Sequence, residues 1–256
     1  MASSVGLALA VTPAAGAAST VSYVALGDSY SSGLGAGSYI SSSGSCDRSN
    51  NAYPERWAAA NAPASFVSVA CAGATTADVI SSQVSALSAS TTLVSLTIGG
   101  NDAGFSSVME TCVLSLTSTC LNAVSTAEAF VATQLPARLT ATLQTIRADA
   151  PGAKIVLLGY PDLYDLAKSG SCIGLSTQDR TALNAGADAL DSALATAAQA
   201  NGDTFADVRG QFAGHEICDP GSWLHAADIF AIGSSYHPTA AGQDLGYLPV
   251  LTAAAR

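Results

Sequence analysis

The chain has 256 residues, of which 49% are apolar and 11% charged, with a formal net charge of −10. That length supports one large domain or two small ones with an ample core, and so apolar a composition with so little charge is the reverse of a disordered chain. Nine Lys and Arg against nineteen Asp and Glu, without a basic cluster, argue against nucleic acid and anionic membranes as electrostatically held partners; no uninterrupted apolar stretch could cross a bilayer, so no stable membrane anchor is expected.

In chain order, residues 1–17 come first, with an apolar run from Val5 to Val11, then Pro13 and Ala15-Gly16-Ala17. They resemble the apolar region and cleavage site of a secretory signal, without its basic start. The expectation is a signal remnant over 1–17, a mature start near Ala18, one domain over 18–256 and an extracellular location; a disordered tail is the alternative. Nearly continuous aliphatic runs predict buried strands at 21–26, 66–69, 93–98, 154–160 and 204–208. Helical spacing of Phe130, Val131, Leu135, Leu139, Leu143 and Ile146 predicts a helix over 125–150 that Pro136 kinks or restarts. A second helix over 176–200 has Ser176 as N-cap and Asn201-Gly202 as stop, and a third runs over 239–254. Strand and helix alternate without a repeat or linker, which argues for a parallel sheet covered by helices on both faces. Ligands of such sheets gather at the carboxyl ends of the strands.

The six cysteines include no C-x-x-C pair of metal-binding or redox type. Export and an even count favour disulfides, and order along the chain favours Cys46 with Cys71, Cys112 with Cys120, and Cys172 with Cys218. Buried free thiols are the alternative, suited to a cytosolic protein.

The strand ends carry the chemistry. The first leads into Gly27-Asp28-Ser29, which exposes a serine at the sheet edge behind a glycine turn. The second leads through Cys71-Ala72-Gly73, small residues able to present a backbone N–H. The third ends in Gly99-Gly100-Asn101-Asp102, whose Asn amide is a neutral donor suited to an oxyanion. Near the end of the chain His237-Pro238 places an imidazole just before a helix. A nucleophile, donors and a base make up a kit for acyl transfer.

These blocks, in this order, resemble the four blocks of the GDSL or SGNH hydrolase superfamily, and they span 27–238. Within it the chain is most similar to the secreted actinobacterial lipases, esterases and phospholipases A1, which carry three disulfides. The resemblance implies a three-layer α/β/α sandwich with a flavodoxin-like parallel sheet. It also implies Ser29 as nucleophile, His237 as general base, and the Ser29 and Gly73 N–H groups with the Asn101 side chain as oxyanion donors. No cofactor and no metal is implied. The chain departs from the family pattern twice. Tyr30 stands where the motif has Leu, and Ser234 stands where the family has an Asp three residues before its His. A hydroxyl cannot stabilise an imidazolium as a carboxylate does. The acceptor for the His237 ring N–H is therefore expected to be a backbone carbonyl, of Ser234 or more favourably Ser235, which makes a Ser-His dyad. Asp228 and Asp219 are alternative acceptors.

Other motifs carry less. Asp28 and Asp102 are expected to hold loop backbone. His215 and His225, near Glu216, Cys218 and Asp219, lack metal-site spacing and read as surface or capping groups. The glycines of Gly33-Leu34-Gly35-Ala36-Gly37 read as a flexible loop rather than a dinucleotide fingerprint. With no G-x-S-x-G elbow, the α/β-hydrolase fold is disfavoured. The expected activity is ester hydrolysis of an acyl lipid or phospholipid by a monomer, with Leu34, Ile40 and Ile173 as candidate walls of an acyl groove. A polysaccharide acetyl esterase and a non-catalytic secreted binding protein are the alternatives.

Overall fold

The computed structural model describes residues 19–171, 174–228, 230 and 232–256, so the signal segment expected at 1–17, Cys172 and Ile173 lie outside the described residues. Strands β1 (Ser22–Ala25), β2 (Ser65–Ser68), β3 (Leu93–Leu96), β4 (Lys154–Leu158) and β5 (Thr204–Ala206) form one sheet in the order β2-β1-β3-β4-β5. Every pairing is parallel. The five expected strands are all present; four are shorter than the aliphatic runs that encode them, and β2 keeps its length but starts one residue earlier. At β2 the expectation of a buried strand fails: exposed and half-buried residues alternate, and Val67 is 45% exposed. It lies at the sheet edge, where neighbours cover less of it.

Nine helices flank the sheet among the described residues: α1 (Ser29–Ser32), α2 (Tyr53–Asn61), α3 (Thr76–Ser81), α4 (Phe105–Leu114), α5 (Thr117–Thr133), α6 (Leu135–Asp149), α7 (Thr177–Asn201), α8 (Arg209–Phe212) and α9 (Leu248–Ala254). The α2 and α9 helices form one layer, while α3, α5, α6 and α7 pack into the other. The α/β/α sandwich expected from the alternation is the fold. Central strands β1, β3 and β4 supply Tyr23, Leu96, Ile155 and Leu157 to a continuous buried core.

Local chemistry sets the helix limits. The α7 helix opens on a reciprocal cap between Ser176 and Asp179 and stops at Gly202, whose φ is +73°. Pro136 falls in the first turn of α6, so the expected long helix divides at Gln134 rather than kinking. The last helix widens over Gly242–Tyr247 into a π-helical turn before α9. It packs at contact distance: a Cβ on Gly246 would lie 2.3 Å from the Phe212 ring, and one on Gly242 would lie 2.5 Å from the Trp223 carbonyl. The Cys46–Cys71 and Cys112–Cys120 disulfides form as expected. Cys218 is disulfide-bonded too, and Cys172 lies outside the described residues.

Candidate active site

The order of the strands puts the site between β1 and β3. The chain leaves β1 for β2 on one side and returns to β3 on the other, so the loops after β1 and β3 diverge and open a crevice at their carboxyl ends. Gly27 makes the turn out of β1 at φ +118°, and a Cβ there would stand 2.5 Å from the Thr97 carbonyl oxygen. No other residue fits so close to the β3 backbone. The buried Gln83 side chain reads both faces of this peptide: its Oε1 accepts the Gly27 N–H at 2.7 Å and its Nε2 donates to the Gly27 carbonyl at 2.9 Å.

Asp28 caps α1. Its Oδ1 accepts the Tyr30 N–H at 3.0 Å and the Thr97 hydroxyl at 2.6 Å, and its Oδ2 accepts the Tyr160 hydroxyl. Burial raises the carboxyl to about 6 in spite of those donors. Tyr160 is held in turn by Asp191, whose Oδ1 accepts its N–H at 2.8 Å. Burial pushes the Asp191 carboxyl up to about 8. Ser29 follows as the first residue of α1, 8% exposed, with its hydroxyl at the crevice.

His237 Nε2 lies 2.7 Å from Ser29 Oγ, and its Nδ1 lies 3.0 Å from the Ser235 carbonyl oxygen. A carbonyl only accepts, so Nδ1 carries the proton and Nε2 presents its lone pair to the serine hydroxyl. Ser234 takes the other place: its carbonyl accepts the His237 backbone N–H at 3.2 Å. The two alternative carboxylates are engaged elsewhere. Asp219 pairs with Lys168, and Asp228, although it lines the crevice, accepts the Phe230 N–H at 2.8 Å. Burial lowers the His237 imidazole to about 4, against the opposing pull of the Ser235 carbonyl.

Asn101 Nδ2 donates one hydrogen to the Ala74 carbonyl at 3.0 Å, which fixes the amide and leaves its second hydrogen for another acceptor. Ser29, Asn101 and His237 line one cavity of about 240 Å³. Gly73 is not among its lining residues. It is exposed, at φ +81°, in a turn closed by Ala74 N–H to Cys71 carbonyl at 3.1 Å, and it is its neighbour Ala74 that accepts the Asn101 amide. Asp102 holds loop backbone, accepting the Thr76 N–H at 2.9 Å and its hydroxyl at 2.6 Å.

The apolar wall differs from the expected one. Phe105, Met109 and Val113 of α4 and Ala227 supply it. Leu34 and Ile40 are not part of it, and Ile173 lies outside the described residues. The glycine loop is anchored, not loose: His225 Nε2 lies 2.8 Å from the Gly35 carbonyl, and Asn51 donates to the Ala36 carbonyl at 2.8 Å. His215 stacks on Trp223 at 3.7 Å. Sequence reasoning missed Gln83, Thr97, Tyr160 and Gln243 as supports of the site. A buried glutamine is indistinguishable from a surface one until the fold places it. Tyr30, read from the sequence only as a change of the motif that leaves the chemistry untouched, is also a support, because its hydroxyl donates to the Tyr236 carbonyl at 2.7 Å, next to His237.

The GDSL-like lipase/acylhydrolase family matches residues 25–245, a span holding every one of these groups. The chain belongs to that family. As a member it is a carboxylic ester hydrolase. It is 54% identical to Lipase 1 of Streptomyces coelicolor, over 96% of this chain and 91% of that protein. Among solved structures of GDSL relatives, the phospholipase A1 of Streptomyces albidoflavus NA297 superposes with a TM-score of 0.89 at 55% identity, covering 92% of this chain and 99% of that one. The extracellular lipase of Streptomyces rimosus gives 0.88 at 50% identity, covering 91% and 99%.

Proposed function

We propose that the protein is an exported lipase or phospholipase A1 that hydrolyses acyl esters through a Ser29–His237 dyad and an acyl-enzyme. The observation that carries this reading is the 2.7 Å contact from Ser29 Oγ to His237 Nε2, with the Ser235 carbonyl fixing the ring behind it. His237 takes the hydroxyl proton as Ser29 Oγ attacks the ester carbonyl carbon. The oxyanion is received by the Ser29 N–H, the second Asn101 amide hydrogen and the Gly73 N–H, each worth about 2.7–4 kcal/mol in comparable sites. The leaving alcohol takes the proton from His237. Water then cleaves the acyl-enzyme along the same path.

The substrate class follows from the wall. Phe105, Met109 and Val113 offer an acyl chain an apolar surface and offer a sugar little to hydrogen-bond, which favours lipid over acetylated polysaccharide. Export is supported by the disulfides, and by the likeness to the extracellular lipase of S. rimosus. No helix among the described residues is long and apolar enough to cross a membrane. The test is an organophosphonate probe with peptide mapping, beside turnover of nitrophenyl esters and phosphatidylcholine. The expected result is label on Ser29 and turnover near background in Ser29→Ala. Undiminished hydrolysis by that variant sinks the assignment.

A further inference from the structure

Phe105 opens α4 directly behind the candidate site. Its N–H donates to the Gly100 carbonyl at 3.0 Å, and its half-buried side chain lines the cavity that holds Ser29 and Asn101. The same side chain bounds two smaller voids, the first buried and the second partly open to the surface. One, of about 20 Å³, lies between the end of β4 and α7 and is walled by Pro161, Leu163, Ala187 and Leu190. The other, also about 20 Å³, lies where α4, α5 and α7 meet, among Val124, Val131, Leu183 and Leu190. Three separate spaces thus share one aromatic wall. The two voids offer almost no polar surface, so they suit hydrocarbon rather than water. On the far side α7 presents the small residues Gly186 and Ala187, which leaves room once the ring is gone.

We propose that Phe105 is the acyl-chain stop of this enzyme: its ring closes the inner end of the cavity and limits the length of acyl chain that is buried during turnover. The inference rests on the reading of Ser29 as nucleophile toward acyl esters. A chain that reaches Phe105 must bend toward solvent, and each further methylene then gains little. With the ring removed the cavity runs on into the two voids, and each methylene that enters them raises kcat/KM about fourfold, the value of burying one CH₂. Leu190 bounds both voids, and Tyr30, Gly100 and Tyr160 bound the cavity and one void, but Phe105 bounds all three spaces, so the effect belongs to this side chain.

The test is the ratio of kcat/KM for nitrophenyl dodecanoate to that for nitrophenyl butyrate, with both esters kept below their aggregation limits. Phe105→Ala is expected to raise the ratio at least about tenfold, the effect of two newly buried methylenes. Phe105→Leu, which retains part of the wall, should raise it less. Placing Ala187→Leu in the Phe105→Ala background refills the void against α7 and should bring the ratio back toward that of the parent. Cooperative thermal unfolding establishes that each variant is folded, and Phe105→Leu decides the matter if Phe105→Ala does not fold. A ratio unchanged or lowered in the folded Phe105 variants overturns the proposal. A failure of the underlying reading looks different: activity toward both esters would then survive Ser29→Ala, whatever the ratio.

Discussion

His237 is half-buried, its ring enclosed by Tyr30, Ser29 and the 234–236 backbone, and that desolvation sets its proton affinity. Its ring centroid lies 5.3 Å from that of Tyr30, and desolvation holds the imidazole near 4 rather than at its ordinary value near 6.5. The folded value is the lower one, so the unfolded chain takes up the proton first as pH falls from about 6.5 toward 4. His237 therefore contributes stability that is present above 6.5 and lost across that window. In the proposed mechanism the same shift keeps Nε2 unprotonated, and able to act as the base, well into the acid range. The acid limb of kcat/KM on a non-ionising ester is expected to have its midpoint near 4. A midpoint at 6.5 or above would contradict the desolvated, carbonyl-oriented imidazole. Tyr30 belongs to the same picture. At the motif position where Leu is usual, it adds a hydroxyl that ties the Tyr236 carbonyl, and Tyr236 itself sits at a φ of +67°, a conformation that needs such support in a residue with a side chain.

At the scale of elements, the C-terminal helix does more than cover the sheet. Its π-helical turn turns Gln243 inward, where Oε1 accepts the Tyr53 N–H of α2 at 2.9 Å and Nε2 donates to the Tyr30 carbonyl of α1 at 2.9 Å. Three helices are thus joined at one buried amide, held at the residue after Ser29. Gln243→Leu keeps most of the volume and strands both backbone groups, at about 1–3 kcal/mol for each. A fall of that size in unfolding free energy by urea titration is expected, and unchanged stability would show that the bridge holds nothing. The Cys112–Cys120 disulfide, with a sequence separation of 8, joins α4 to α5. It constrains the unfolded chain by roughly 2.5 kcal/mol in the loop-entropy account and braces the helix that carries the cavity wall. The legible elements were those with strong local signals: β3 and β4 from nearly continuous aliphatic runs, and α7 from its cap and its glycine stop. The α2, α3 and α4 helices escaped notice because they are short and their apolar faces are brief, so little in their own sequence marks them off from loop.

The whole molecule combines a net charge of −10 with exposed apolar groups near the cavity. Leu114 and Leu116, 64% and 78% exposed, follow the lining residue Val113, and Phe230, 93% exposed, sits between the lining residues Asp228 and Gly233. Under the proposed function, a lipid aggregate is met through apolar contact, without electrostatic attraction to an anionic surface. Replacing Leu114, Leu116 and Phe230 together by Ser is expected to lower hydrolysis of phosphatidylcholine vesicles at least about fivefold, the effect of losing some 1 kcal/mol of apolar contact, while soluble butyrate ester turnover holds. Equal losses on both substrates would assign these residues a structural role instead.

The sequence by itself determined the α/β class, the serine, histidine and asparagine of the candidate site, and two disulfides closed by cysteines that follow one another along the chain. These rest on local signals: aliphatic periodicity, glycines at forced turns, and polar residues fixed at strand ends. Tertiary structure alone decided the rest. The sheet order that brings the ends of β1 and β3 side by side is such a case, as are the Ser235 carbonyl as partner of His237 and the wall built by α4 rather than by Leu34 and Ile40. Which of several carbonyls an imidazole meets, or which helix roofs a crevice, depends on groups far apart in the chain. Their positions are fixed by packing, and no short stretch of residues encodes them.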